Sequence, residues 1–143
     1  PLPGLTDEEN RGAALFMQPV GAGGTGCAGC HRPPSFSLDG LSLSNGLDSA
    51  ETRIFRSPSL KTVGMGTRYM HDGRFATLEE VVDFYDAGVK VGPALDPRLR
   101  LPSGAPRRLG LSAPDKAALV AFLRTLRDSS VITDPRFADP FRR

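Results

Sequence analysis

The chain has 143 residues, of which 39% are hydrophobic, with no Trp, 16 glycines and 13 prolines. That is the length of one domain, yet so much Gly and Pro leaves little room for long regular elements, and an apolar core built from side chains alone would be thin. Eighteen basic against 16 acidic side chains give a formal charge of +2, too balanced and too scattered for a nucleic-acid surface. No apolar run approaches the roughly 20 residues of a membrane span.

Three segments carry helix signals. Thr6-Asp7-Glu8-Glu9 reads as a capping box and leads into Gly12 to Met17, with Pro19 and the run Gly21 to Gly24 as the stop. A second capping box, Thr77-Leu78-Glu79-Glu80, opens a helix expected to reach Gly88. Its stripe is Leu78, Val81, Val82 and Tyr85, at i, i+3, i+4 and i+7. Ser112-Ala113-Pro114-Asp115 starts the third, with Leu119, Phe122, Leu123 and Leu126 as its stripe. Between them, residues 32–76 and 89–110 read as irregular and rich in Gly, Pro, Ser and Asp. Loops that long in a compact domain imply that they wrap something. Residues 129–143 read as a polar extension running over the surface, behind a helical core at about 6–128.

The two cysteines of the chain stand in Cys27-Ala28-Gly29-Cys30-His31. C-x-x-C-H is the attachment signature of c-type haem. Two thiols three residues apart on a turn can each bond one former vinyl group, and the next residue supplies an axial imidazole. A redox dithiol needs a βαβ context that is missing here. A zinc site needs four ligands, and only His71 remains as a further soft donor. Cys27, Cys30 and His31 are therefore the expected haem-binding residues, with His31 as iron ligand. From residue chemistry alone, Met65, Met70, His71 and Tyr85 are all candidates for the other axial position, and an open or water-bound position is a further alternative.

Gly12-x-x-x-Phe16 and Leu119 to Leu126 resemble the crossing terminal helices of class I cytochromes c. More narrowly, several blocks resemble the C-terminal haem domain of bacterial di-haem cytochrome c peroxidases and the related MauG enzymes. They are Arg56-Ser57-Pro58-Ser59-Leu60-Lys61, Tyr69 to Glu80 around His71-Asp72-Gly73, Asp83-Phe84-Tyr85, Leu109 to Ser112, and Thr133 to Phe141. The resemblance implies an all-α, class I cytochrome c-like domain, spanning 1–143, with long irregular loops wrapped around one covalent haem c. Those family members carry two C-x-x-C-H motifs on a chain about twice as long, whereas this one has a single motif. What the resemblance covers is the electron-transferring half.

The same resemblance selects the second iron ligand. The family places a Met, or in the MauG branch a Tyr, 14 residues after the His of the His-x-Gly block, and that count from His71 reaches Tyr85. His71 itself is expected at a haem edge. Arg53, Arg56, Arg68 and Arg74 flank loops that could reach the propionates, which Arg binds bidentately. The expected function is one-electron transfer by a periplasmic or otherwise exported mono-haem cytochrome, with a redox protein as partner, such as a second haem-containing or dehydrogenase subunit, and no nucleic acid. Two alternatives are a haem subunit of a larger oxidoreductase and a peroxidase-type enzyme, the latter using His71, Glu79 or Glu80 as acid–base group.

Overall fold

In the computed structural model, residues 1–38, 40, 42–138 and 141 are described. Among them the fold is helical, with isolated β-bridges and no strand. The long helices are α1 (Asp7–Met17) and α3 (Ala113–Thr125), with a short α2 (Leu78–Asp83) beside α3 and a single turn, α4 (Ser130–Thr133), in the tail. Both capping boxes close as the sequence predicts. Thr6 accepts from the Glu9 N–H and Thr77 from that of Glu80, while each Glu carboxylate accepts from the backbone N–H of its cap residue. Ser112 caps α3 through the Asp115 N–H. No helix among the described residues is long and apolar enough to cross a membrane.

α1 and α3 meet almost backbone to backbone. A Cβ on Gly12 would lie 1.9 Å from the Ala118 carbonyl oxygen, so only glycine permits the approach. That contact brings Phe16 and Phe122 to a tilted pair with centroids 5.4 Å apart, and Phe36 from the following loop closes the group. Ala13, Phe16, Leu78, Val82, Leu119, Val120, Phe122 and Leu123 form this first core cluster.

A second cluster is separate: Leu47, Phe84, Val89 and Leu95, flanked by half-buried Met70, Phe75, Tyr85 and Leu99. Its existence corrects the reading of the second helix. α2 ends at Asp83 and continues as a π-helical turn, Phe84–Gly88. The change of winding takes Tyr85 off the Leu78/Val82 face and sets it beside Phe84 at the second cluster. The physical cause is tertiary. Asp86, buried at the turn, accepts from the Leu109 and Leu111 N–H groups through its carbonyl and carboxylate, and its carboxylate also pairs with Lys116 of α3.

The two long loops are each other's partners. Ser44 N–H donates to Ala94, Asp96 N–H to Ser44, and Lys90 N–H to Gly46. Gly46 has φ +75, and a Cβ there would stand 2.8 Å from the Lys90 carbonyl. Arg74 ties the 46–48 loop to the His71-Asp72-Gly73 block by pairing with both Asp48 and Asp72. In the tail, α4 and a 3₁₀ turn at Pro135–Phe137 are regular elements that the sequence reading does not anticipate. Asp139, Pro140, Arg142 and Arg143 of the expected surface extension lie outside the described residues.

Candidate haem site

The end of α1 builds the cysteine turn. Thr25 N–H and Oγ1 both donate to the Leu15 carbonyl, and Gly26 N–H donates to Gln18, which pins the loop under the helix. Cys27–Gly29 then form a 3₁₀ turn, and the His31 N–H closes onto the Cys27 carbonyl at 2.9 Å. The two thiols are not joined in a disulfide. Thr25 Oγ1 and Cys27 Sγ share a hydrogen bond of 3.1 Å, and burial pushes the Cys27 thiol above its ordinary pKa. Cys30 Sγ accepts from Arg98 Nη1 at 3.3 Å.

His31 is oriented by backbone. Its Nδ1 lies 3.1 Å from the Pro58 carbonyl and 3.2 Å from that of Phe36, so Nδ1 carries the proton and Nε2 is left as a lone-pair donor. Burial lowers the His31 pKa, against the pull of the two carbonyls, and so favours the neutral imidazole that a metal requires. Pro33 and Pro34, adjacent in sequence, are not the acceptors; Pro58 comes from the Arg56-Ser57-Pro58 block 27 residues away.

Tyr85 and Met70 converge on one amide. Asn45 Nδ2 lies 3.5 Å from Tyr85 Oη and 3.5 Å from Met70 Sδ, and Asn45 Oδ1 accepts from the Leu47 N–H, which fixes the amide's sense. Burial pushes the Tyr85 hydroxyl up to about 12, with the Asn45 amide working against it and negative charge on Cys27 and Cys30 adding to it. Met65 sits elsewhere, on a 3₁₀ turn (Val63–Met65) whose Gly64 packs on Arg124 at the end of α3. The His71 ring stacks on Phe55, with centroids 4.3 Å apart, and Nε2 is 3.7 Å from the buried Glu51.

Of the arginines read as propionate partners, Arg53 pairs with Glu51 and Arg74 with Asp48 and Asp72, while Arg56 and Arg68 are exposed. The residues that the sequence reading missed are Asn45 and Arg98, which reach the site from distant loops with no local pattern to mark them; Pro58 stands in a block that the sequence singles out, but its role as acceptor for His31 does not show there. Among the described residues no group of three or more His, Cys, Asp or Glu gathers as an ion site.

Residues 8–96 match the family described as di-haem cytochrome c peroxidase. The chain belongs to this family. It is 33% identical over 144 residues to the methylamine utilization protein MauG of Methylorubrum extorquens, a match that covers 90% of this chain and 37% of that protein. It is 42% identical over 79 residues to cytochrome-c peroxidase IdrP2 of Denitromonas iodatirespirans, covering 55% of this chain and 18% of the other. A MauG-like protein associated with microbial copper homeostasis superposes with a TM-score of 0.68 at 30% identity, covering 96% of this chain and 49% of its own. The diheme peroxidase BthA from Burkholderia thailandensis shares the fold, with a TM-score of 0.65 at 24% identity over 89% of this chain and 44% of its own. The chain therefore spans well under half the length of these curated relatives and about half of the solved structures.

Haem is the group this family binds, and the residues present fit it. Two unpaired thiols lie on one turn, a neutral imidazole is held by two carbonyls with Nε2 free, and a buried hydroxyl and a thioether meet at one amide.

Proposed function

We propose that this chain is a class I cytochrome c-like domain that holds one covalent haem and passes single electrons. Cys27 and Cys30 would hold it through two thioether links, and His31 Nε2 and Tyr85 Oη would ligate its iron. The observation that carries the reading is His31, whose Nδ1 is clamped by Phe36 and Pro58 so that Nε2 is the free donor beside two thiols. Bound haem supplies a ferric/ferrous couple of one electron. The chain's own residues bind and set it. The Phe36 and Pro58 carbonyls strengthen the imidazole as a donor, and Tyr85 packs edge-on against Phe84 at the second cluster. Because covalent attachment takes place outside the cytoplasm, we assign the domain to the periplasm or another exported location, with a redox protein as partner.

A peroxidase-type reaction would need a free acid–base group, and the candidates have other duties. His71 stacks on Phe55 and faces Glu51, Glu79 pairs with Arg124, and Glu80 closes a capping box. That the chain spans about half of its solved neighbours favours a second reading, a haem domain acting within a larger oxidoreductase. Acid–acetone extraction with intact mass tests the attachment: the haem stays on the protein and adds one haem to its mass. The ferric absorption and electron paramagnetic resonance spectra test the ligand pair. Haem released into the organic phase, or more than one per chain, refutes the assignment.

A further inference from the structure

Between Asp96 and Asp115 the sequence has Arg98, Arg100, Arg107 and Arg108 and no acidic residue. The fold gathers this run into a tight loop. A 3₁₀ turn, Pro97–Leu99, is followed by a reversal in which Leu101 N–H donates to Ala105, Gly104 N–H to Leu101, and Arg107 N–H to Leu99. Pro97, Arg100, Leu101, Pro102, Gly104 and Arg107 line an open groove of about 550 Å³. The loop abuts the cysteine turn through Arg98, whose Nη1 is 3.3 Å from Cys30 Sγ and 3.4 Å from buried Asp96.

One of the loop's four arginines, Arg98, has a carboxylate partner, Asp96. Arg11, Arg53, Arg74, Arg98, Arg124 and Arg136 are each paired with a carboxylate. Among the described residues, no ion pair engages Arg100, Arg107 or Arg108. Arg108 donates to the Val89 carbonyl and Arg107 Nη2 to that of Arg100, while Arg107 Nε is buried with no partner at all. A buried donor with no acceptor within the chain is commonly satisfied by an ordered water or ion. The exposed guanidinium of Arg100 offers the fork that a carboxylate fits. Leu101, 40% exposed, and the two prolines give the groove an apolar floor inside this charged rim. An apolar centre with arginine anchors is the composition of a protein–protein interface.

We propose that the 97–108 loop is the docking surface for a one-electron redox protein that presents carboxylates, seated against the Cys30 edge of the site. The inference rests on the haem reading above, because the loop's value lies in its contact with Cys30. One electron crosses the interface. One side is oxidised as the other is reduced, and no bond or proton moves.

The test uses the haem-loaded chain, reduced and then mixed in stopped flow with ferricyanide, an anionic oxidant, or tris(phenanthroline)cobalt(III), a cationic one. Arg100→Glu with Arg107→Glu should slow ferricyanide at low salt by about tenfold or more and speed the cobalt complex, within the range of electrostatic steering. Lys61→Glu with Arg127→Glu, the same change of charge on another surface, should leave the ratio of the two rates within about twofold. The glutamine pair at 100 and 107 should give an intermediate ratio. Poly-L-glutamate should slow ferricyanide for the unsubstituted protein and not for the Glu variant. A ratio unchanged at 100 and 107, or shifted equally by the control pair, overturns the docking surface, as does equal protection by inorganic phosphate, which would make the groove a small-anion site. Failure of the haem reading looks different: no covalent haem, or no reversible one-electron change in any variant.

Discussion

Gly12→Ala tests the contact on which the architecture turns. A Cβ at Gly12 would stand 1.9 Å from the Ala118 oxygen, 2.6 Å from its carbon and 2.8 Å from Phe122 Cβ. Ordinary contact begins near 3.4 Å, so α1 and α3 must part by roughly 1.5 Å, and backbone on a helix cannot yield as a flexible side chain would. The separation also opens the Phe16–Phe122 pair. Overpacking of this kind costs about 1–3 kcal/mol, and the lost aromatic contact adds about 1. The better helix propensity of Ala returns about 1. The net expectation is a loss of about 1–3 kcal/mol. For a chain of this length, with an unfolding entropy of about 2 cal/mol/K per residue, that is a fall in Tm of about 3–10 °C. Gly21→Ala is the control, since nothing lies within 4 Å of a Cβ there. Thermal and urea unfolding followed by circular dichroism, with both variants loaded with haem, give the comparison. If Gly12→Ala is as stable as Gly21→Ala, the helices do not cross this closely and the derived packing is wrong.

Leu47→Ala removes a side chain only 1% exposed at the centre of the second cluster and should cost about 2–4 kcal/mol by urea unfolding, whereas Leu101→Ala in the open groove should cost less than about 0.5. Arg74 holds the Asp48 and Asp72 carboxyls below the usual carboxylate range, so its contribution is present above the ordinary value near 4 and is lost as pH falls through the depressed ones. The urea midpoint of Arg74→Gln should accordingly trail the parent at pH 6 and approach it at pH 2; an unchanging gap refutes the pairing. Tyr85→Phe deletes only the phenol oxygen. It should change the ferric spin state and raise the potential, while Met70→Leu leaves both in place; the reverse pattern makes Met70 the ligand. Asn45→Ser keeps a hydroxyl able to accept from the Leu47 N–H but is too short to reach Tyr85, so a phenolate there should give more of its charge to ferric iron and lower the potential, and that effect should vanish in a Tyr85→Phe background.

What could be read from the chain in advance was whatever is local. The helix starts at Thr6, Thr77 and Ser112 are capping chemistry, settled within four residues, and the structure closes all three. The C-x-x-C-H turn is local for the same reason, since haem attachment demands fixed spacing. The turn of Phe84–Gly88 is different. Leu78, Val81, Val82 and Tyr85 make a sound helical stripe on paper, and the winding changes only because Asp86 is engaged by Leu109, Leu111 and Lys116, groups that lie 23 to 30 positions further on. Periodicity has no access to such a contact. It follows that Tyr85 does not continue the Leu78 face. Its ring is half-buried, against Phe84 and the second cluster. The case for Tyr85 rests instead on the 14-residue interval from His71 and on Asn45, and these stand on different footing. The interval is a property of the family. The amide is a property of this fold, brought from 40 positions away and locked by Leu47 with its donor end toward both the phenol and the thioether. A group that faces both candidate donors at equal distance cannot choose between them by geometry, so the choice falls to charge. A phenolate gains from an amide N–H more than a neutral thioether does, because a hydrogen bond to an ionised acceptor is about twice as strong as one to a neutral acceptor.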